Sequence, residues 1–428
     1  MLTAISGTFL LTILLGVPIA FGMGLAGASW ILLVERLDAG VLARRMYYAL
    51  EAFPLISVPL FIMLGYLAEK CGLLPQMVRW LQLLLGRLKG GVAYLNVVNS
   101  MIFAGISGTA ISDVASLGRI EIELMRKAGY DLPYSAALTA ASSICGPIIP
   151  PSVAMIIYAL AAGNVSIGGL FMAGALPGIL LGLGMIAICW MKARRGQYGT
   201  LLERPAKREL LLYTARVSPI FILPLIIVGG TVSGIFTVTE SAAIGVVYIT
   251  LLGFVITREL TLHHVYEAVV FSGIVSSVLG VLMGSGVIVG WILTRNRVTH
   301  HLTEYLVSWS RSPLAFMCLV AITLLLLGCL MDATAIIIAL TPLVAPIAAQ
   351  YGIHELQFGL LFVFTCMVGL ITPPVGVILF MTCALVNLRL ETLSRAIVPF
   401  VVWMVIVVAL LIAVPPLTLF LPRLVGFR

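Results

Sequence analysis

The chain has 428 residues, of which 61% are hydrophobic and only 10% charged, with a mean hydropathy of +1.16. Soluble domains carry roughly 25% charged residues, so this composition excludes a water-soluble globular protein and points to an integral membrane protein. The net charge of +8 is concentrated in one loop, which in a membrane protein signals orientation rather than a nucleic-acid patch.

In chain order, the first charge is Glu35. The uncharged run 1–34 lacks a basic leader and exceeds the apolar core of a signal peptide, so it is expected to be a retained first helix. Further runs free of Asp, Glu, Lys and Arg cover 52–68, 90–112, 132–191, 217–239, 241–257, 268–294, 312–331, 333–354, 356–388 and 396–422. A spanning helix needs about 20 apolar residues, so the longest runs hold two passes or a broken one. Continuous apolar runs are unlike the short alternating segments of a membrane barrel. The expected fold is an all-α polytopic membrane protein of about ten to twelve helical segments.

Residues 72–90 place Met77, Leu81, Leu84 and Leu85 at helical spacing, with Arg79, Arg87 and Lys89 elsewhere. This predicts an amphipathic interfacial helix, and residues 293–311, with Arg295, Arg297, His300, His301 and Arg311, are its expected counterpart. The loop 192–216 supplies five of the eight net charges through Lys192, Arg194, Arg195, Arg204, Lys207, Arg208 and Arg216 against Glu203 and Glu209. It is expected to be cytoplasmic and to divide the chain into an N-terminal half, 1–191, and a C-terminal half, 217–428. The latter opens with a run long enough for two spans, punctuated by Gly234 and by Thr237-Val238-Thr239-Glu240. That tetrad fits a capping box and makes Glu240 a helix cap. Seven cysteines without CxxC spacing read as packing residues.

An internal repeat carries the functional signal. Gly146-Pro147-Ile148-Ile149-Pro150-Pro151 and Gly369-Leu370-Ile371-Thr372-Pro373-Pro374 lie 223 residues apart, and the offset holds from Gly129/Gly352 to Asn164/Asn387. A Pro-Pro pair removes two donors and breaks a helix, leaving carbonyls unpaired. In a membrane such backbone is tolerated where it lines an enclosed cavity, and paired breaks point to the binding site of a secondary transporter. Upstream of each pair, a glycine-containing turn carries an acid in an apolar run: Gly105 to Asp113, and Gly328 to Thr334 with Asp332. Intramembrane acids are costly and mark candidate sites; each is expected at a re-entrant hairpin tip facing the broken helix of its own half, or as a helix cap.

Sodium suits unwound carbonyls and hydroxyls. Ser107, Thr109, Ser112, Asp113, Ser142, Ser143, Gly146, Pro150, Pro151 and Ser152 are candidates for sodium or substrate in the first repeat, and Gly328, Asp332, Thr334, Thr365, Gly369, Thr372, Pro373 and Pro374 in the second. The helix after each Pro-Pro pair turns its positive end to the cavity, favouring an anionic substrate group. Packing is the plainer reading of any single serine. Gly105-Ile106-Ser107-Gly108 also matches the short GxSG pattern of intramembrane serine proteases, but the five histidines all lie in polar connections, away from a base's place. No GxxxxGK[ST] sequence occurs, and no ATP hydrolysis or organic cofactor is expected.

These segments, with Leu15-Gly16-Val17-Pro18-Ile19-Ala20-Phe21, Pro59 to Gly65, Phe103 to Gly118, Leu170 to Gly178 and Gly234 to Ala243, resemble the large membrane subunit of tripartite ATP-independent periplasmic (TRAP) transporters of the C4-dicarboxylate type. The resemblance implies a multi-pass protein of the bacterial inner membrane, surrounded by lipid. It implies a separate small four-helix membrane subunit, a periplasmic solute receptor, a small organic anion such as a dicarboxylate or sugar acid, sodium symport, and an elevator movement of a two-repeat transport domain. On this chain it implies one sodium site between Ser107–Asp113 and Gly146–Ser152, and a second between Gly328–Thr334 and Gly369–Pro374. A stand-alone sodium- or proton-coupled anion symporter is the alternative.

Overall fold

The computed structural model describes residues 2–163, 165–196, 207–298, 300–301, 304–305 and 312–427. Asn164, most of the basic loop and much of the expected 293–311 counterpart lie outside the described residues. Every regular element among the described residues is helical. Seven helices among the described residues are long and apolar enough to cross a membrane: Phe53–Lys70, Ile167–Arg195, Arg208–Val232, Val238–Thr257, Leu262–Arg295, Ala333–Gln350 and Leu390–Ala413. Other apolar helices have 10–17 residues, and at 1.5 Å per residue the shortest of these, about 15 Å long, are half-spans.

Proline and cap chemistry set these lengths. The opening run is two helices, Leu2–Leu14 and Ile19–Ser29, separated by the Gly16-Val17-Pro18 break. The run 132–191 holds Leu132–Ser142, Val153–Ala162 and Ile167–Arg195, with the Pro-Pro segment between the first two. The capping box forms as expected: the Thr237 side chain accepts from Glu240 N at 3.2 Å and Glu240 Oε2 accepts from Thr237 N at 2.8 Å. Glu240 is therefore tied to the start of a helix.

The helices form two packed groups. Ile19–Ser29, Gly40–Leu50, Ser57–Lys70 and Val238–Leu251 gather around or beside the long Leu262–Arg295 helix. In the other group, Gly91–Ser107 and Ala110–Lys127 form a first hairpin and Pro313–Gly328 with Ala333–Gln350 a second. The segments broken at the Pro-Pro pairs, and the helices Ile167–Arg195 and Leu390–Ala413, pack with them. The two hairpins are exchanged across the pairs: Ala110–Lys127 packs on Val377–Val386, while Ala333–Gln350 packs on Val153–Ala162. Each hairpin thus also leans on the broken segment of the opposite half, beyond the same-half pairing expected from sequence.

The amphipathic helix Leu73–Leu85 buries Met77 and Leu81 but leaves Leu84 exposed. It docks on Lys207–Val217, where Arg79 pairs with Glu209 at 2.9 Å and Trp80 Nε1 donates to Thr214 Oγ1 at 2.9 Å. Six of the cysteines are buried and Cys318 is exposed. Large apolar side chains such as Leu33, Leu225, Val255, Ile274 and Leu326 point outward, the surface that a lipid environment stabilises.

Candidate functional site

Each broken segment is clasped by a hairpin tip through backbone. In the first, Gly108 takes a left-handed conformation (φ +62°), and a Cβ there would sit 2.7 Å from Pro151 O. Only glycine satisfies both the turn and the approach. Val153 N donates to Gly108 O at 3.3 Å. In the second, a Cβ on Gly369 would lie 2.5 Å from Gly328 Cα, and Gly376 N donates to Cys329 O at 3.3 Å. The two donors, Val153 and Gly376, are 223 residues apart. Both Pro-Pro bonds are cis.

A cavity of about 490 Å³ opens between the two tips. Ser107, Thr109 and Ser112 line it from the first hairpin, and Asp332 and Thr334 from the second. Tyr66 and Glu69 on Ser57–Lys70 and Phe271 on Leu262–Arg295 close another side. Three helix starts converge here, at Ala110, Val153 and Ala333, each capped by a side chain: Thr109 Oγ1 accepts from Ser112 N at 3.3 Å, Ser152 Oγ from Met155 N at 3.2 Å, and Asp332 Oδ1 from Thr334 N at 2.8 Å. No Lys, Arg or His is among the lining residues. Ser107 therefore has no histidine beside it in the cavity to act as a base.

The remaining sequence candidates differ in their surroundings. Gly146 packs against Thr109 backbone, where a Cβ would lie 2.8 Å from Thr109 O, and Ser143 Oγ donates to Ala140 O at 2.9 Å. Thr365 and Thr372 donate to Leu361 O and Val368 O at 2.6 and 2.7 Å, which leaves their oxygen lone pairs available as acceptors. Pro150, Pro151, Pro373 and Pro374 shape the breaks. Asp113 behaves differently from Asp332. Thr109 occupies the N-cap, so Asp113 falls one turn into its helix, buried and absent from the cavity wall. Ser142, also buried, donates to Asn96 Oδ1 at 2.9 Å. Sequence reasoning missed Glu69, whose Oε2 accepts from Ser116 Oγ at 2.9 Å across the boundary between the two helix groups. It also missed Asn96, Asn99 and Ser100, polar residues on one helix face of an uncharged run, a pattern that was available to it.

Ser152 offers a direct stability test. Its buried hydroxyl donates to Pro147 O at 2.6 Å besides capping Val153–Ala162. Losing a cap and leaving a buried carbonyl unpaired costs about 1–3 kcal/mol. Ser152→Ala is expected to lower the unfolding temperature in detergent, and an unchanged transition would contradict this role.

The family model described as "Tripartite ATP-independent periplasmic transporter, DctM component" matches residues 6–417. The chain is 32% identical over 409 residues to the sialic acid TRAP transporter large permease protein SiaM of Vibrio cholerae, covering 96% of this chain and 95% of that protein. It is 32% identical over 404 residues to the C4-dicarboxylate TRAP transporter large permease protein DctM of Pseudomonas aeruginosa, covering 94% of each. Among solved structures, the YdaH transporter of Alcanivorax borkumensis shares the fold at a TM-score of 0.62 and 15% identity, over 91% of each chain. With a match across nearly its whole length and helices built to span a membrane, this chain belongs to the DctM family of tripartite ATP-independent periplasmic transporters, as a multi-pass, non-enzymatic large permease subunit of the inner membrane.

Proposed function

We propose that the chain carries a small organic anion inward together with sodium, receiving it from a periplasmic receptor and working beside a small membrane subunit. The observation that carries this reading is the cavity between the two hairpin tips, which offers carbonyls, hydroxyls, Asp332 and Glu69 but no cationic side chain. Convergent helix starts favour the anion's charged group, and cations held at the broken segments supply the compensating charge. Sialic acid and C4-dicarboxylates, named for two relatives, are acids of the corresponding class. The first sodium would take oxygens of Ser107–Asp113 and Gly146–Ser152, and the second those of Gly328–Thr334 and Gly369–Pro374. The halves 1–191 and 217–428 would supply one repeat each to a body that slides past the Ser57–Lys70 and Leu262–Arg295 helices.

Uptake of a labelled acid into proteoliposomes holding both membrane subunits, with the receptor outside, tests this reading. A sodium gradient is expected to drive uptake, and Thr372→Ala to raise the half-saturating sodium concentration severalfold. Uptake that ignores sodium, or a Thr372→Ala titration identical to the wild type, would overturn it. Uptake without a receptor would favour a stand-alone symporter.

A further inference from the structure

Behind the first hairpin tip lies a polar cluster that the cavity does not include. Asn99, Asp113 and Glu121 are 0%, 2% and 1% exposed. Asn99 Nδ2 donates to Glu121 Oε1 at 2.7 Å, while Asn99 Oδ1, Glu121 Oε2 and Asp113 Oδ1 are buried without a hydrogen-bond partner. Asp113 lies beside Ser100, whose hydroxyl donates to Ser142 Oγ at 3.1 Å, and Asn96 Nδ2 donates to Thr139 Oγ1 at 2.7 Å. Three helices, Gly91–Ser107, Ala110–Lys127 and Leu132–Ser142, enclose the cluster. No salt bridge reaches either carboxylate among the described residues.

Every orphaned atom here is an oxygen acceptor. A buried acceptor left unpaired is costly, and a buried carboxylate without a counter-charge more so. The amide oxygen of Asn99, whose nitrogen is spent on Glu121, makes the same demand from the other hairpin arm. Oxygen-only donors with no imidazole or thiolate among the ligands suit a hard cation.

We propose that Asn99, Asp113 and Glu121 form an internal binding site for one monovalent cation, filled by sodium, inside the first hairpin and separate from the oxygens that face the cavity. This rests on the sodium-coupled reading but adds an ion, and it gives Asp113 a place at the inner site. The cation bridges the two hairpin arms, since Asn99 lies on one and both acids on the other. Sodium would thereby set how firmly the first tip is held.

The test is equilibrium binding of radioactive sodium to the full-length purified chain. Glu121→Gln, which keeps shape and an oxygen, is expected to lower the number of sodium ions bound per chain by one, whereas Thr372→Ala acts on a different ion. Full wild-type stoichiometry in folded Glu121→Gln would overturn the inner site and leave the tip sites standing. Loss in Glu121→Gln with none in Thr372→Ala would support the inner site and count against the second tip site. A wild-type chain that binds no sodium would overturn both readings. A measurement on the unaltered chain guards against misfolded variants: dicyclohexylcarbodiimide, which adds to protonated carboxyls in apolar surroundings, is followed by mass spectrometry of the 113–121 region. Sodium chloride, compared with choline chloride, is expected to suppress labelling at least severalfold. Labelling that sodium leaves unchanged, or that is absent in both salts, would favour a proton-holding pair or an inert one and overturn the cation site.

Discussion

Gly369→Ala is expected to abolish transport and to lower the unfolding temperature by several degrees. The added methyl would meet Gly328 Cα at 2.5 Å and Gly328 C at 2.7 Å. Both are backbone atoms, so no side-chain rotation relieves the clash. Overpacking of this kind costs about 1–3 kcal/mol and occasionally more, and the separation it forces also strains the hydrogen bond from Gly376 N to Cys329 O. Gly273→Ala is the control, because a Cβ there meets nothing within 4 Å. It is expected to unfold and transport as the wild type does. Uptake and thermal unfolding of the two variants side by side decide the matter: a Gly369→Ala protein matching the control would show that the clasp between the second tip and its broken segment is dispensable.

The second large effect is expected from tying the two helix groups together. Glu69 and Ser116 are joined by a 2.9 Å hydrogen bond across their boundary. If the hairpins slide past Ser57–Lys70 during transport, this contact must break in every cycle. In a Cys318→Ala background, the Glu69→Cys/Ser116→Cys pair bridged by mercuric ion is expected to lose nearly all uptake and to regain it on reduction with excess dithiothreitol. Mercuric ion should leave each single cysteine variant at its own untreated rate, whatever that rate is. Transport that continues at full rate through the bridged protein would rule out relative movement at this boundary.

Much of the architecture was legible because it follows from backbone chemistry. Pro150-Pro151 and Pro373-Pro374 lack the donors a helix needs, so the breaks were evident from sequence alone. Thr237 and Glu240 form the cap their spacing predicts. The difference between the two intramembrane acids was hidden in a detail of register. Thr109 precedes Asp113 by one helical turn and takes the N-cap, whereas Met331 cannot cap and Asp332 does so itself. Glu121 was illegible for another reason. It sits among Arg119, Glu123, Arg126 and Lys127, all exposed, and only the packing of three helices shows that its face of the amphipathic helix is the buried one. Glu69 pairs with its neighbour Lys70 at 3.0 Å, as adjacent interfacial charges would, and only the tertiary structure shows that its other oxygen also meets the hairpin.

The charge balance of the cavity wall bears on wasteful cycling. Glu69 and Asp332 are acidic lining residues, and no cationic side chain is among the residues that line the cavity with them. In a low-dielectric enclosure, like charges repel far more strongly than in water. Lys70 Nζ, outside the wall, lies 3.0 Å from Glu69 Oε1 and offsets that charge. An unaccompanied anion would therefore meet the repulsion chiefly at Asp332, where no salt bridge among the described residues relieves it. If the solute is the anion proposed above, the wall itself would discourage slippage: loading would be energetically tied to the arrival of positive charge, before any movement of the protein enforces the order.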